Sequence, residues 1–301
     1  MIYLLTLVLK PRNEIIHKTV VRHLSNTLEK RKMSRKKWTS EKIFTRMLNN
    51  KTQKTFWENV RELRKRPNNE VYNKAYKLAE SESKKEKIIG IYVLAQLGFD
   101  PRFQQAKTVK LYFKLLENEK SPKVISAILS SISHNNENLN EKQISKLIKF
   151  KTHKFVNVRF ELTLAISCLE NEKAIKTLIE LSNDKDSDTR NWATFGIGTQ
   201  LENDTQEIRN ALWNRVTDKD EITRLEAISG LAKRKDRKIK EVLKTELENI
   251  DENGSLILES IELFNDKDFI PLLEKKIVEN KRSKKVNEDW LLETINKLNE
   301  K

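Results

Sequence analysis

Two stretches of this chain can be laid on one another without a gap: DKDSDTRNWATFGIG from Asp184 and DKDEITRLEAISGLA from Asp218. Both read D-K-D-x-x-T-R-x-x-A, with a small residue three positions past the alanine. Self-similarity at a near-constant period restricts a chain more than any local motif does. Each copy must build the same unit, and that unit buries its apolar side only against its neighbours. The template also runs backwards, through VRFELTLAIS at Val158, KVISAILSSIS at Lys123 and EKIIGIYVLAQLG at Glu86. Its alanine column holds Gly90, Ala127, Leu162, Ala193 and Ala227, at spacings of 37, 35, 31 and 34. One helical turn further on, Val93, Ser130, Ala165, Gly196 and Gly230 keep the same face mostly small.

A shorter apolar segment follows each copy: VKLYF, ISKLI, IKTLI, IRNAL and IKEVL. Its anchors are Val109, Ile144, Ile175, Ile208 and Ile239, with Ile270 continuing the series, at spacings of 35, 31, 33, 31 and 31. Two helices per unit of just over thirty residues predict an all-α solenoid of about six helix pairs. Composition agrees. Six glycines and five prolines in 301 residues are too few for a turn-rich β architecture, and 34% charged residues suit a fold with much surface per residue.

This pattern resembles the HEAT repeat, in the short bacterial form named after phycobilisome-lyase-like proteins. The resemblance covers roughly residues 55–278 and is most specific from Val158 to Lys244. It implies a right-handed α-α superhelix whose second helices line a concave surface. The family's Asp and Arg stand at Asp184 and Arg190 and again at Asp218 and Arg224, and the resemblance implies an Asp–Arg ladder between neighbouring repeats. The preceding unit departs from this pattern, because His153 and not an acid stands six residues before Arg159.

At the edges, FWENVRELRKRPN with VYNKAYKLAES predicts a leading helix pair, and WLLETINKL within residues 286–301 predicts a closing helix. The first-helix template fades around residues 255–265. The expected organisation is a basic N-terminal extension over residues 1–54 and a HEAT-repeat solenoid over 55–301. Residues 10–54 hold fourteen Lys and Arg against three Glu, which places +11 of the net +15 there. A basic tail on a near-neutral body is weaker evidence for nucleic acid than a uniformly basic body. EKRKMSRKKWTSEK at residues 29–42 reads as a nucleic-acid-binding arm, an address signal or a solvated leader.

Few residues point to catalysis. The Gly-x-Gly of TRNWATFGIGTQ lacks the third glycine and the preceding strand of a dinucleotide loop, and it falls in the small-residue columns. Its glycines are expected to admit close helix packing. The histidines are His17, His23, His134 and His153; no His-Glu dyad of the di-iron HEAT enzymes and no HExxH occurs. His134 is expected near a helix end. Cys168, the single cysteine, excludes an internal disulfide and is expected to be a small core residue. No cofactor and no metal is expected.

The one functional signal that uses the repeat comes from the second helices. One residue past each anchor stand Lys110, Ser145, Lys176, Arg209, Lys240 and Pro271. Five past stand Lys114, Lys149, Glu180, Trp213, Lys244 and Lys275. Positions four apart share a helix face. Lys110, Lys114, Lys149, Lys176, Arg209, Trp213, Lys240 and Lys244 are therefore the candidate binding residues. The expected function is a non-enzymatic scaffold that binds a protein or peptide through this face. The alternative is a nucleic-acid-binding HEAT-like protein, with Glu180, Arg209 and Trp213 side by side as in alkylpurine DNA glycosylases. A monomer in the cytoplasm is expected: one cysteine suits a reducing compartment, and MIYLLTLVLKPR is too short to span a bilayer.

Overall fold

The computed structural model describes residues 35–252 and 254–300. Residues 1–34, with most of the basic extension and with His17 and His23, lie outside the described residues. Within them the chain forms sixteen α-helices and no strand, and it divides into two compact units after Gln104. The first unit holds α1 (Ser40–Leu48), α2 (Gln53–Leu63), α3 (Asn69–Ala79) and α4 (Lys84–Gln96). The second begins with α5 (Gln105–Asn118), α6 (Pro122–Ile132), α7 (Glu141–Leu147), α8 (Val156–Ile166), α9 (Glu172–Leu181) and α10 (Ser187–Phe195). It continues with α11 (Gln206–Trp213), α12 (Glu221–Lys233), α13 (Ile239–Glu248), α14 (Ser255–Phe264), α15 (Ile270–Ser283) and α16 (Glu288–Glu300). The fold is an all-α repeat solenoid of the armadillo and HEAT kind.

In the first unit, the edge expected between residues 54 and 55 falls inside α2. α1 is built into the body, since Ile43, Phe44 and Met47 are no more than 1% exposed. Arg66 ties the entry to α1 by donating to the carbonyls of Trp38 at 2.6 Å and Arg35 at 3.1 Å. A Cβ at Gly90 would fall 2.3 Å from the Ala79 nitrogen, so α3 and α4 meet backbone to backbone.

In the second unit the first helices α6, α8, α10, α12, α14 and α16 stack in succession. α14 occupies the stretch where the sequence template fades, because Ile257, Leu258, Ile261 and Phe264 still supply a buried face. In the D-K-D-x-x-T-R motif the two aspartates, the threonine and the arginine have separate tasks. Asp186 caps α10 by accepting from the N–H and the hydroxyl of Thr189, at 2.9 and 2.8 Å, and Asp220 caps α12 through Thr223 in the same way. The first aspartate takes the arginine of the preceding repeat. Arg159 donates to Asp184 at 2.6 and 2.8 Å, and Arg190 to Asp218 at 3.0 and 2.9 Å. The ladder therefore includes the unit that departs from the pattern. The carbonyl of His153 accepts from Arg159 as that of Asp184 does from Arg190, so that position needs a backbone oxygen and no acid. Arg224 pairs with Glu246 at 3.4 Å.

The glycines of GIG close the next contact. Gly196–Gln200 is a π-turn at the end of α10, and a Cβ at Gly230 would lie 2.6 Å from the Gly198 Cα. The widened turn leaves carbonyls without helical partners, and Arg234 satisfies them. Its buried guanidinium donates to the carbonyls of Gly198, Ile197 and Asn203 at 2.7 Å, Gly230 at 3.0 Å and Leu201 at 3.1 Å. Burial lowers its pKa.

Candidate functional site

Of the anchors, Ile144, Ile208 and Ile239 are no more than 4% exposed, and Val109, Ile175 and Ile270 are half-buried. One residue past an anchor therefore starts on the rim. Lys110, Lys114, Lys149 and Lys176 are exposed, whereas Arg209, Trp213, Lys240 and Lys244 are half-buried. α7 ends at Leu147, so Lys149 stands in the 3-10 turn Ile148–Thr152 and not on a continuous α-helical column.

Five of these eight side chains, Lys176, Arg209, Trp213, Lys240 and Lys244, are engaged by acids. Arg209 donates to both Asp204 oxygens at 2.7 Å and to Asp236 at 3.2 Å. Trp213 Nε1 donates to the same Asp236 oxygen at 3.1 Å. Lys240 pairs with Asp266 at 2.6 Å and Asp268 at 2.5 Å. Lys176 pairs with Glu172 at 2.7 Å and Lys244 with Glu241 at 2.8 Å, each within its own helix. Burial works to raise the Asp236 pKa, but the bonds from Trp213, the Lys238 N–H and Arg209 outweigh it, and the carboxyl is held below its usual range. Bonds to Asp266 and Asp268 hold the Lys240 ammonium above its usual range.

A second ladder thus runs along this face beside the Asp–Arg ladder of the first helices. The cation one past an anchor meets the aspartate three or four residues before the next anchor: Arg209 meets Asp236, before Ile239, and Lys240 meets Asp266, before Ile270. Asp236 and Asp266 stand three and four residues before Ile239 and Ile270, so that recurrence was readable in the sequence. Earlier in the unit, neighbouring repeats are linked at other positions, by Lys146 with Glu117 and Lys151 with Glu180, both at 2.6 Å. The expected trio is therefore corrected. Glu180 is taken by Lys151, and the acid shared by Arg209 and Trp213 is Asp236.

On the first helices, Trp192 packs edge-on against Phe160 and Phe195, with ring centroids 6.5 and 5.5 Å away. Its column also holds Glu161 and Glu226. Burial pushes both carboxyls up, and Glu226 reaches about 7 despite a bond from the Thr199 hydroxyl at 3.2 Å, with Glu259 adding to the rise. Cys168, expected in the core, is exposed just past the end of α8, where its thiol donates to Gln200 Oε1 at 3.2 Å. Among the described residues no His, Cys, Asp and Glu cluster could hold a metal ion, and no helix is long and apolar enough to cross a membrane.

Fold and face together define a helical repeat protein. Similar proteins are known. Protein YibA of Escherichia coli K12 is 28% identical over 262 residues, which is 83% of this chain and 92% of YibA, and the O157:H7 protein of that name matches equally. An X-ray structure of Escherichia coli YibA aligns with 98% of this chain and all of its own at a TM-score of 0.70 and 23% identity, a likeness of fold. A designed armadillo repeat protein, aligned over 62% of this chain and 97% of its own at 18% identity, has a TM-score of 0.43. No family model matches the chain.

Proposed function

We propose that this protein is a non-enzymatic scaffold whose second-helix face binds a protein or peptide partner. The observation that carries the reading is the cluster of Arg209, Trp213, Asp236 and Lys240 with their aspartates. It is a hydrogen-bonded surface of both charge signs around a half-buried indole. Tryptophan and arginine dominate binding energy where they are held in place before the partner arrives. A polypeptide can meet such a surface, because it supplies cations, anions and backbone groups together. A phosphate backbone cannot meet it well, since Asp204, Asp236, Asp266 and Asp268 repel it while neutralising the cations it would need. Catalysis is not assigned to these repeats, since Arg209, Trp213 and Lys240 are bonded to aspartates.

A peptide array with mixed-charge sequences, probed with the full chain, tests this. Trp213→Ala is expected to lose at least tenfold in affinity for the peptides bound by wild type, with the melting temperature nearly kept. Equal binding by both proteins sinks the assignment of this face.

A further inference from the structure

The first unit differs in having cations to spare. Residues 35–104 contain seventeen Lys and Arg against eight acids. Several of those acids are engaged: Glu58 by Arg35, Glu62 by Arg66 and Glu41 by Lys74. Lys36, Lys37, Lys42 and Arg46 are exposed and have no acid partner among the described residues. Two of these four surround an indole. Lys42 Nζ lies 5.2 Å and Arg46 Cζ 5.5 Å from the centre of the half-buried Trp38 ring. At the other end of α1, a cleft of about 280 Å³ is bounded by Phe56, Trp57 and Tyr92, whose rings meet edge-on at 4.9 to 5.8 Å. Lys51, at the rim of that cleft, and the exposed Lys54 have no acid partner among the described residues either.

We infer that the α1 surface of the first unit binds single-stranded nucleic acid. Uncompensated cations attract the phosphates, and aromatic rings at both ends of a nine-residue helix, about 13 Å long, offer stacking faces for bases. Lys42 and Arg46 are exposed, so they can turn from the Trp38 ring to phosphate while a base replaces them on it. A duplex hides its base faces and leaves the rings unused. A membrane is a poorer partner, because the apolar face of α1 (Ile43, Phe44 and Met47) is already buried. This inference is independent of the second-helix face, since it uses residues 35–104 alone.

The test is fluorescence anisotropy of a labelled oligothymidylate with the full chain between about 50 and 200 mM salt. Affinity is expected to fall with a log–log slope on the order of −3, as for roughly four neutralised phosphates on a single strand. Trp38→Ala is expected to bind about tenfold more weakly with the slope kept, and Trp38→Phe to recover most of the loss, which a merely damaged fold would not allow. Lys42→Gln with Arg46→Gln flattens the slope, and Lys219→Gln does nothing. The inference is overturned by any of four results: no binding at the lowest salt, wild-type binding by the double variant, wild-type binding by Trp38→Ala, or competition by duplex DNA or polyglutamate as strong as by oligothymidylate.

Discussion

In residues 35–104 the formal charge is +9 and exposed cations stand without acids, whereas residues 105–301 carry thirty-five Lys and Arg against thirty-four acids. The second unit uses its charges to hold one repeat to the next. Arg159 and Asp184 are 7% and 8% exposed, and Arg190 and Asp218 are 15% and 4% exposed. The first unit packs through apolar α1 residues and the Gly90 contact, and it leaves Lys42 and Arg46 in solvent. Equal residue types therefore have unequal consequences: a cation in the ladder is structural, and one on α1 is free for a ligand.

Replacing cations and acids in turn should break the comparison wherever it is wrong. The largest effect is expected for Arg234→Ala, which strands the π-turn carbonyls and leaves a void where the guanidinium lay. A loss of about 5 kcal/mol should appear in chemical denaturation. Asp218→Ala leaves Arg190 and Arg215 without their shared carboxylate and is expected to cost about 4 kcal/mol, since removing one partner of a buried pair is worse than never having had it.

The pH dependence separates two kinds of acid within the second unit. Burial raises the Asp184 and Asp218 carboxyls, but the bonds from Arg159 and Arg190 outweigh it and hold both below 3.8. Their contribution is therefore present above about pH 4 and lost as pH falls through the folded-state values. Glu226 has the opposite sign. Its folded pKa of about 7 exceeds the ordinary 4.5, so the folded state holds the proton more tightly. Its contribution is full below about pH 4.5 and disappears as pH rises through 7. Glu226→Gln should accordingly raise stability at pH 8 by up to roughly 3 kcal/mol relative to pH 4.5. Urea melts at both values measure this, and equal shifts would show that Glu226 is not buried as described. The smallest effect is expected for Lys42→Ala, within about 0.5 kcal/mol of wild type by thermal melting. A large loss there would make α1 a ladder like the others.

Much of the fold was legible. The alanine and anchor columns placed five first helices and the second helices that follow them, since a period of just over thirty residues admits little else. The small column marked where backbones meet. α14 was harder, because its apolar face survives while the motif that advertises the repeat is gone. The π-turn at Gly196–Gln200 and the clamp by Arg234 left no local signature, as their partners lie more than thirty residues away. The candidate face was legible as positions, and its charge balance was not. Counting cations along α9, α11 and α13 found Lys176, Arg209, Lys240 and Lys244 but not the acids that neutralise them, Asp236 and Asp266 among them.

By itself, then, the sequence determined the periodic helices, their caps and which side of each must be buried, because propensity, capping and apolar spacing act within a few residues. Only the tertiary structure decided which charges are paired and which are free. Coulombic partners are chosen by distance through space, and that distance is set by how one repeat seats on the next.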